Sequence, residues 1–136
     1  MTEFVYLHGF ASGPSSKKAT AFKNKFKEIG VSLNTPDLEG GNFENMTLTS
    51  QVNIVLDLLD QFQCKKVCLI GSSMGGYLAT LVAQRREEVK ATYLMAPGFN
   101  FLERWMRSLK LDWDDETCLE PKIQVFHYRY DETKYI

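Results

Sequence analysis

The stretch 66–83, Lys-Val-Cys-Leu-Ile-Gly-Ser-Ser-Met-Gly-Gly-Tyr-Leu-Ala-Thr-Leu-Val-Ala, leaves this chain few folds to choose from. Its apolar run at 67–70 reads as a buried strand, and 77–83 continue at helical spacing. The turn between them carries Gly71-x-Ser73-x-Gly75, the pattern of a nucleophile elbow. A serine attacks well only if its hydroxyl stands clear of the backbone, where a base can reach it. A strained strand-to-helix turn lifts it there, and its neighbours must be tiny because strand and helix crowd the position. The first N–H groups of the following helix point at the same spot, where an oxyanion would form. Ser73 is the candidate nucleophile, and Gly71, Gly75 and Gly76 are the glycines that make room for it.

Two other glycine-rich motifs fail on inspection. A dinucleotide fingerprint needs glycine where Ser73 stands in Gly71-x-Ser73-x-x-Gly76. A phosphate-cradling P-loop needs Gly-Lys-Ser/Thr, and Met74-Gly75-Gly76-Tyr77 offers no lysine. A second feature supports the hydrolytic reading. The short apolar strand 4–7 runs directly into His8-Gly9-Phe10. Esterases and lipases use such a His-Gly loop to supply the second oxyanion N–H. That donor would be the Phe10 amide, paired with the Met74 amide behind the nucleophile. His8 is expected to brace the turn rather than act as base.

Residues 6–19 (Tyr-Leu-His-Gly-Phe-Ala-Ser-Gly-Pro-Ser-Ser-Lys-Lys-Ala), Pro-Asp-Leu at 36–38, Gly-Ser-Ser-Met-Gly-Gly-Tyr at 71–77 and Met-Ala-Pro-Gly-Phe-Asn at 95–100 follow one another. In this order they resemble the small YqiA/YcfP-type esterases of the α/β-hydrolase superfamily, over roughly residues 4–100. The resemblance implies a serine hydrolase of small acyl esters or thioesters with no cofactor, and a Ser–acid–His triad in that chain order. The acid matching the superfamily pattern would be Asp131, with the segment 123–132 as the next strand. Tyr128 stands where that pattern wants glycine, so the preferred reading places the segment inside a cap, with the acid further on. The triad histidine should follow the acid, yet His8 and His127 both precede Asp131. His127 is the only surrogate base on offer near that acid. The expected fold is therefore a three-layer α/β/α arrangement on a mostly parallel sheet, a truncated α/β-hydrolase fold. The function it implies is an esterase weak or inactive in this short chain. A non-catalytic remnant or pseudoenzyme, binding acyl compounds or a protein partner, is the alternative.

Composition fits one domain over 1–136, with 99–122 or a longer stretch to 136 as a cap. The amphipathic run from Phe99, with Phe101, Leu102, Trp105, Met106 and Leu109, suits a cap over the site or ordinary core. Sixteen basic and 17 acidic residues nearly cancel, which argues against nucleic acid or an anionic membrane as partner. No run approaches a transmembrane helix, and the chain enters a strand straight after Met-Thr-Glu, without the pattern of a signal peptide. Cys64, Cys68 and Cys118 are odd in number and lack zinc spacing, so reduced thiols and a cytoplasmic location are expected. The acidic run 112–116 hints at calcium, but Thr117 and Ile123 stand where its loop needs Gly and Glu, so no metal site is expected.

Strands and helices alternate along the first hundred residues, as a parallel sheet requires. A helix is predicted at 16–29 with Ala19, Phe22, Phe26 and Ile29 on its buried face and its lysines solvated. A strand at 31–35 should stop at Pro36, followed by a loop in which Asp37 forms a turn. A helix at 48–63 should bury Val52, Val55, Leu56, Leu59 and Phe62. The strand 67–70 should lie centrally, between 4–7 and 91–95. Lacking a final strand and helix, the chain should expose apolar sheet surface and be poorly stable or self-associate.

Overall fold

The computed structural model of the protein describes residues 1–63, 66–101, 103, 104, 107, 124–127, 129, 130 and 132–135. Strand β1 (Glu3–Leu7) is followed by helix α1 (Lys17–Glu28), strand β2 (Leu33–Asn34) and helix α2 (Leu48–Asp60). Strand β3 (Val67–Ser72), helix α3 (Met74–Ala83) and strand β4 (Val89–Met95) complete a parallel sheet in the order β2-β1-β3-β4. The elbow strand is thus flanked by β1 and β4, as expected, with Leu7 opposite Gly71 and Ser72 opposite Met95.

Strand periodicity makes the three layers. Alternate residues of a strand face opposite sides of the sheet. Val5 and Leu7 join Val67 and Leu69 against α2 and α3, through Val52, Val55, Leu59, Leu78 and Val82. Tyr6 and Ile70 face the other way, onto Ala19, Phe22 and Phe26 of α1. Each fully buried aliphatic side chain contributes about 1.5–3 kcal/mol. Both helix starts are capped from the sequence. Ser16 Oγ accepts from the Ala19 N–H at 3.2 Å. Thr47 and Ser50 accept reciprocally from each other's backbone N–H at 3.0 and 2.9 Å.

Three expectations are corrected. Helix α1 ends at Glu28, and Gly30 follows with φ +73°, so Ile29 lies on the cap, 71% exposed, instead of on the buried face. Helix α2 stops at Asp60 and β2 is two residues long, an edge strand cut short before Pro36. Of the two readings of the segment 123–132, the one as the next strand of the parallel sheet is not what its described residues form. Strand β5 (Gln124–His127) instead pairs antiparallel with β6 (Glu132–Tyr135) as a separate hairpin. Strand β4 forms the other edge of the four-stranded sheet, and its Ala91, Thr92 and Tyr93 are exposed. No helix among the described residues is long and apolar enough to cross a membrane. Cys64, Cys118, the acidic run 112–116, Asp131 and most of the stretch 99–122 lie outside the described residues.

Candidate active site

At the carboxyl end of β3 the chain turns into α3 through Ser73, at φ +54° and ψ −120°. A side-chain-bearing residue rarely adopts that region, and holding one there costs roughly 1–3 kcal/mol. The surroundings over-determine it. The Ser73 N–H donates to the Met95 carbonyl at 2.9 Å, and the Ser73 carbonyl accepts from Gly98 at 2.7 Å and Gly76 at 2.9 Å. The loops after β3 and β4 are therefore locked together beneath the serine, while its side chain remains exposed.

The small residues around it are required by contact. A Cβ on Gly75 would lie 2.1 Å from the Leu7 carbonyl oxygen, and one on Gly71 would lie 2.4 Å from that of Gly75. Helix α3 thus starts directly against the ends of β1 and β3. Gly76 meets Pro97 closely, with 3.1 Å from an added Cβ. Gly9 brings the loop after β1 alongside, since a Cβ there would lie 3.5 Å from the Ser73 Cβ. Met74 opens α3, and its N–H is among those a helix leaves without an intrahelical partner. Phe10 lies in the same His-Gly loop and lines both cavities that flank the elbow.

His8 is 1% exposed and braces this loop. Its Nδ1 hydrogen bond to the Gly9 carbonyl is 2.9 Å, and its Nε2 accepts from the Leu38 N–H at 3.0 Å. That pair of bonds places the ring proton on Nδ1. Burial lowers the His8 pKa, against the opposing pull of the Gly9 carbonyl and of Asp37. His127 is also buried, and its ring is committed elsewhere. Its Nε2 bonds Glu39 Oε2 at 2.5 Å, and its Nδ1 accepts from the Arg129 N–H at 3.2 Å. The Phe43 ring closes over it edge-on at 4.5 Å. Among the described residues, no hydrogen bond joins Ser73 Oγ to either imidazole, although the sequence holds only these two histidines.

This pairing was missed in sequence. Residues 39 and 127 are 88 apart, and no local pattern links them. Asp37 does form the expected turn, accepting from the Glu39 N–H at 3.1 Å, and it also takes the Arg129 guanidinium at 2.8 Å. The lysines of α1 are exposed as expected, with one departure. Lys18 Nζ donates to Ser72 Oγ at 2.8 Å, beside the candidate nucleophile. The adjoining Tyr6 phenol is pushed up by burial, opposed by hydrogen bonds with Ser72 and Ser16.

Two cavities open beside the elbow. One, about 340 Å³, is lined by Ser73, Ser72, Ser12, Lys17 and Lys18. The other, about 540 Å³ and mainly apolar, is lined by Phe10, Met74, Tyr77, Phe99, Phe101 and Gln51 among others. The start of the stretch expected to form a cap thus supplies one wall of the larger cavity.

A parallel sheet with a glycine-bounded, strained serine between its central strand and the next helix defines an α/β-hydrolase-type protein. Solved structures share this fold. A "Putative hydrolase" of Agrobacterium vitis S4 superposes with TM-score 0.79 at 23% identity, over 99% of this chain and 57% of that one. Mouse alpha/beta hydrolase domain-containing protein 10 gives 0.65 at 25% identity, over 79% of this chain and 48% of that one. The chain belongs to the uncharacterised protein family UPF0227, whose model matches residues 3–136. It is also similar to "Putative esterase/lipase 2" of Mycoplasma pneumoniae, 38% identical over 104 residues, covering 69% of this chain. It spans 37% of that relative's length.

Proposed function

We propose that Ser73 is the nucleophile of an esterase acting on small acyl esters or thioesters. The single observation that carries this reading is the backbone of Ser73, held at φ +54° with its side chain exposed. In the proposed reaction Ser73 Oγ bonds to the carbonyl carbon and its proton passes to a base. The Met74 and Phe10 amides take the developing oxyanion. The alcohol or thiol then leaves with a proton, and water releases the acyl group as its acid. The apolar cavity beside Met74 suits the acyl group.

Both imidazoles are hydrogen-bonded away from Ser73. A serine lacking its base keeps only what binding and the oxyanion hole provide, a loss of roughly 10⁴–10⁶ in rate. Hydrolysis by this 136-residue chain should therefore be slow. The same observation favours a second reading, a non-catalytic protein that binds acyl compounds or a partner. The exposed edge of β4 supports self-association as well. Release of p-nitrophenol from a short-chain ester separates the readings, with added imidazole as an external base. The esterase reading expects a small rate above a Ser73→Ala control that climbs with imidazole. Identical rates in both proteins at every imidazole concentration favour the binding protein.

A further inference from the structure

We infer that the smaller cavity beside the elbow takes the leaving group, and that this alcohol or thiol carries an anion, phosphate or carboxylate, which Lys18 holds. The inference deepens the esterase reading of Ser73 and rests on it for the words leaving group.

Lys18 differs from the other lysines of α1. Lys25 reaches a carboxylate on its own helix, Glu28 at 2.9 Å, and Lys23 is exposed. Lys18 instead donates to Ser72 Oγ at 2.8 Å, a residue 54 positions away on the central strand. Ser72 is buried, and so is Tyr6, whose hydroxyl hydrogen-bonds with Ser72 and Ser16. A buried set of hydroxyls thus holds the ammonium at the wall of the cavity that Ser73 also lines. Fixing a four-carbon side chain costs rotamer freedom, and a neutral hydroxyl leaves its charge uncompensated. An ammonium has three N–H donors and no acceptor, so two donors remain for a guest. No described residue lining this cavity is a carboxylate, and Lys17 adds a second cation to its wall. The guest that matches these groups brings negative charge and several acceptor oxygens.

The two cavities divide a substrate between them. Met74 lines the larger, mainly apolar one, Ser73 and Lys18 line the smaller, and Phe10 lines both. A carbonyl carbon at Ser73 bears two substituents. The acyl chain belongs with the apolar walls, where it leaves water. The side with Ser12, Ser16 and the lysines remains for the leaving oxygen or sulfur and the group it carries.

The test titrates the nitrogen-15-labelled 136-residue chain with glycerol 3-phosphate, glycerate and glycerol, followed by backbone amide shifts in NMR. At least one anion should bind about tenfold or more tightly than glycerol, the ratio expected of one charge-assisted hydrogen bond. It should shift the amides of Ser12, Lys18 and Ser73 and leave that of Gln51, in the larger cavity, unmoved. Lys18→Gln should bring the ratio within about twofold of unity, and Lys23→Gln should leave it unchanged. Tighter binding of glycerol 3-phosphate assigns the site to phosphate, tighter binding of glycerate to carboxylate, and equal binding to either anion. Equal affinities for all three compounds, no binding of any, a loss in Lys23→Gln as large as in Lys18→Gln, or a preference that survives Lys18→Gln would each overturn the inference. A Lys18-dependent preference without any Ser73-dependent ester turnover would refute the nucleophile and leave the anion site standing.

Discussion

Replacing Ser73 by glycine should stabilise the protein while abolishing any serine chemistry. The Ser73 conformation, φ +54° and ψ −120°, is the mirror image of ordinary extended backbone. A side chain there costs about 1–3 kcal/mol, whereas glycine adopts it freely. Against that relief stands glycine's larger entropy in the unfolded chain, about 0.4–1 kcal/mol. Loss of the hydroxyl adds little, since the residue is exposed and its Oγ bonds no imidazole among the described residues. The net gain is about 0.5–2 kcal/mol. For 136 residues, an unfolding entropy of about 2.1 cal/mol/K per residue makes each kcal/mol worth about 3–4 °C. Tm should therefore rise by about 2–7 °C in calorimetry. Ser73→Ala keeps its Cβ and should gain almost nothing. A glycine variant no more stable than wild type, or an alanine variant equally stabilised, would refute the claim of strain at this elbow.

Gly75→Ala should destabilise by about 3 kcal/mol or more, because its Cβ meets the backbone of β1 at 2.1 Å and no rotamer can yield; an unchanged urea midpoint would contradict that contact. His127→Leu should cost about 3–5 kcal/mol by removing the hydrogen-bonding partner of the buried Glu39, which then keeps only Arg129 Nη1 at 3.9 Å, and adding Glu39→Leu should recover much of the loss. A neutral single variant would show that the pair does not anchor the hairpin. His8 has a folded pKa below its ordinary value of about 6.5. The unfolded chain thus binds the proton more readily, so this contribution is complete above about pH 6.5 and is lost as pH falls towards the folded pKa. Urea titrations should show wild type losing more stability between pH 7.5 and 5.5 than His8→Gln; parallel losses would assign the pH dependence to other groups.

Local patterns carried the parts of this fold that were legible in advance. The elbow, the His-Gly loop and the placing of β3 between β1 and β4 follow from short apolar runs ending in glycine turns, each readable within about ten residues. The buried stripe of α2 was legible for the same reason, through Val52, Val55 and Leu59. What escaped depends on distant partners. Ile29 has a helical period but falls one residue past a stop set by Gly30. The segment ending in His127 has the composition of a sheet strand, yet it is claimed by a hairpin partner and by a carboxylate 88 residues away. Gln51 reads as an ordinary polar residue until the packing shows that it is buried.

Intact-mass and peptide-mapping spectrometry after incubation with a fluorophosphonate, with and without imidazole, tests the central claim most directly. The reagent phosphonylates serines whose hydroxyl is exposed beside oxyanion donors. The account predicts a single adduct on the peptide containing Ser73, formed slowly, accelerated by imidazole, and absent from Ser73→Ala. No adduct under either condition, or an adduct that persists in Ser73→Ala, would contradict it.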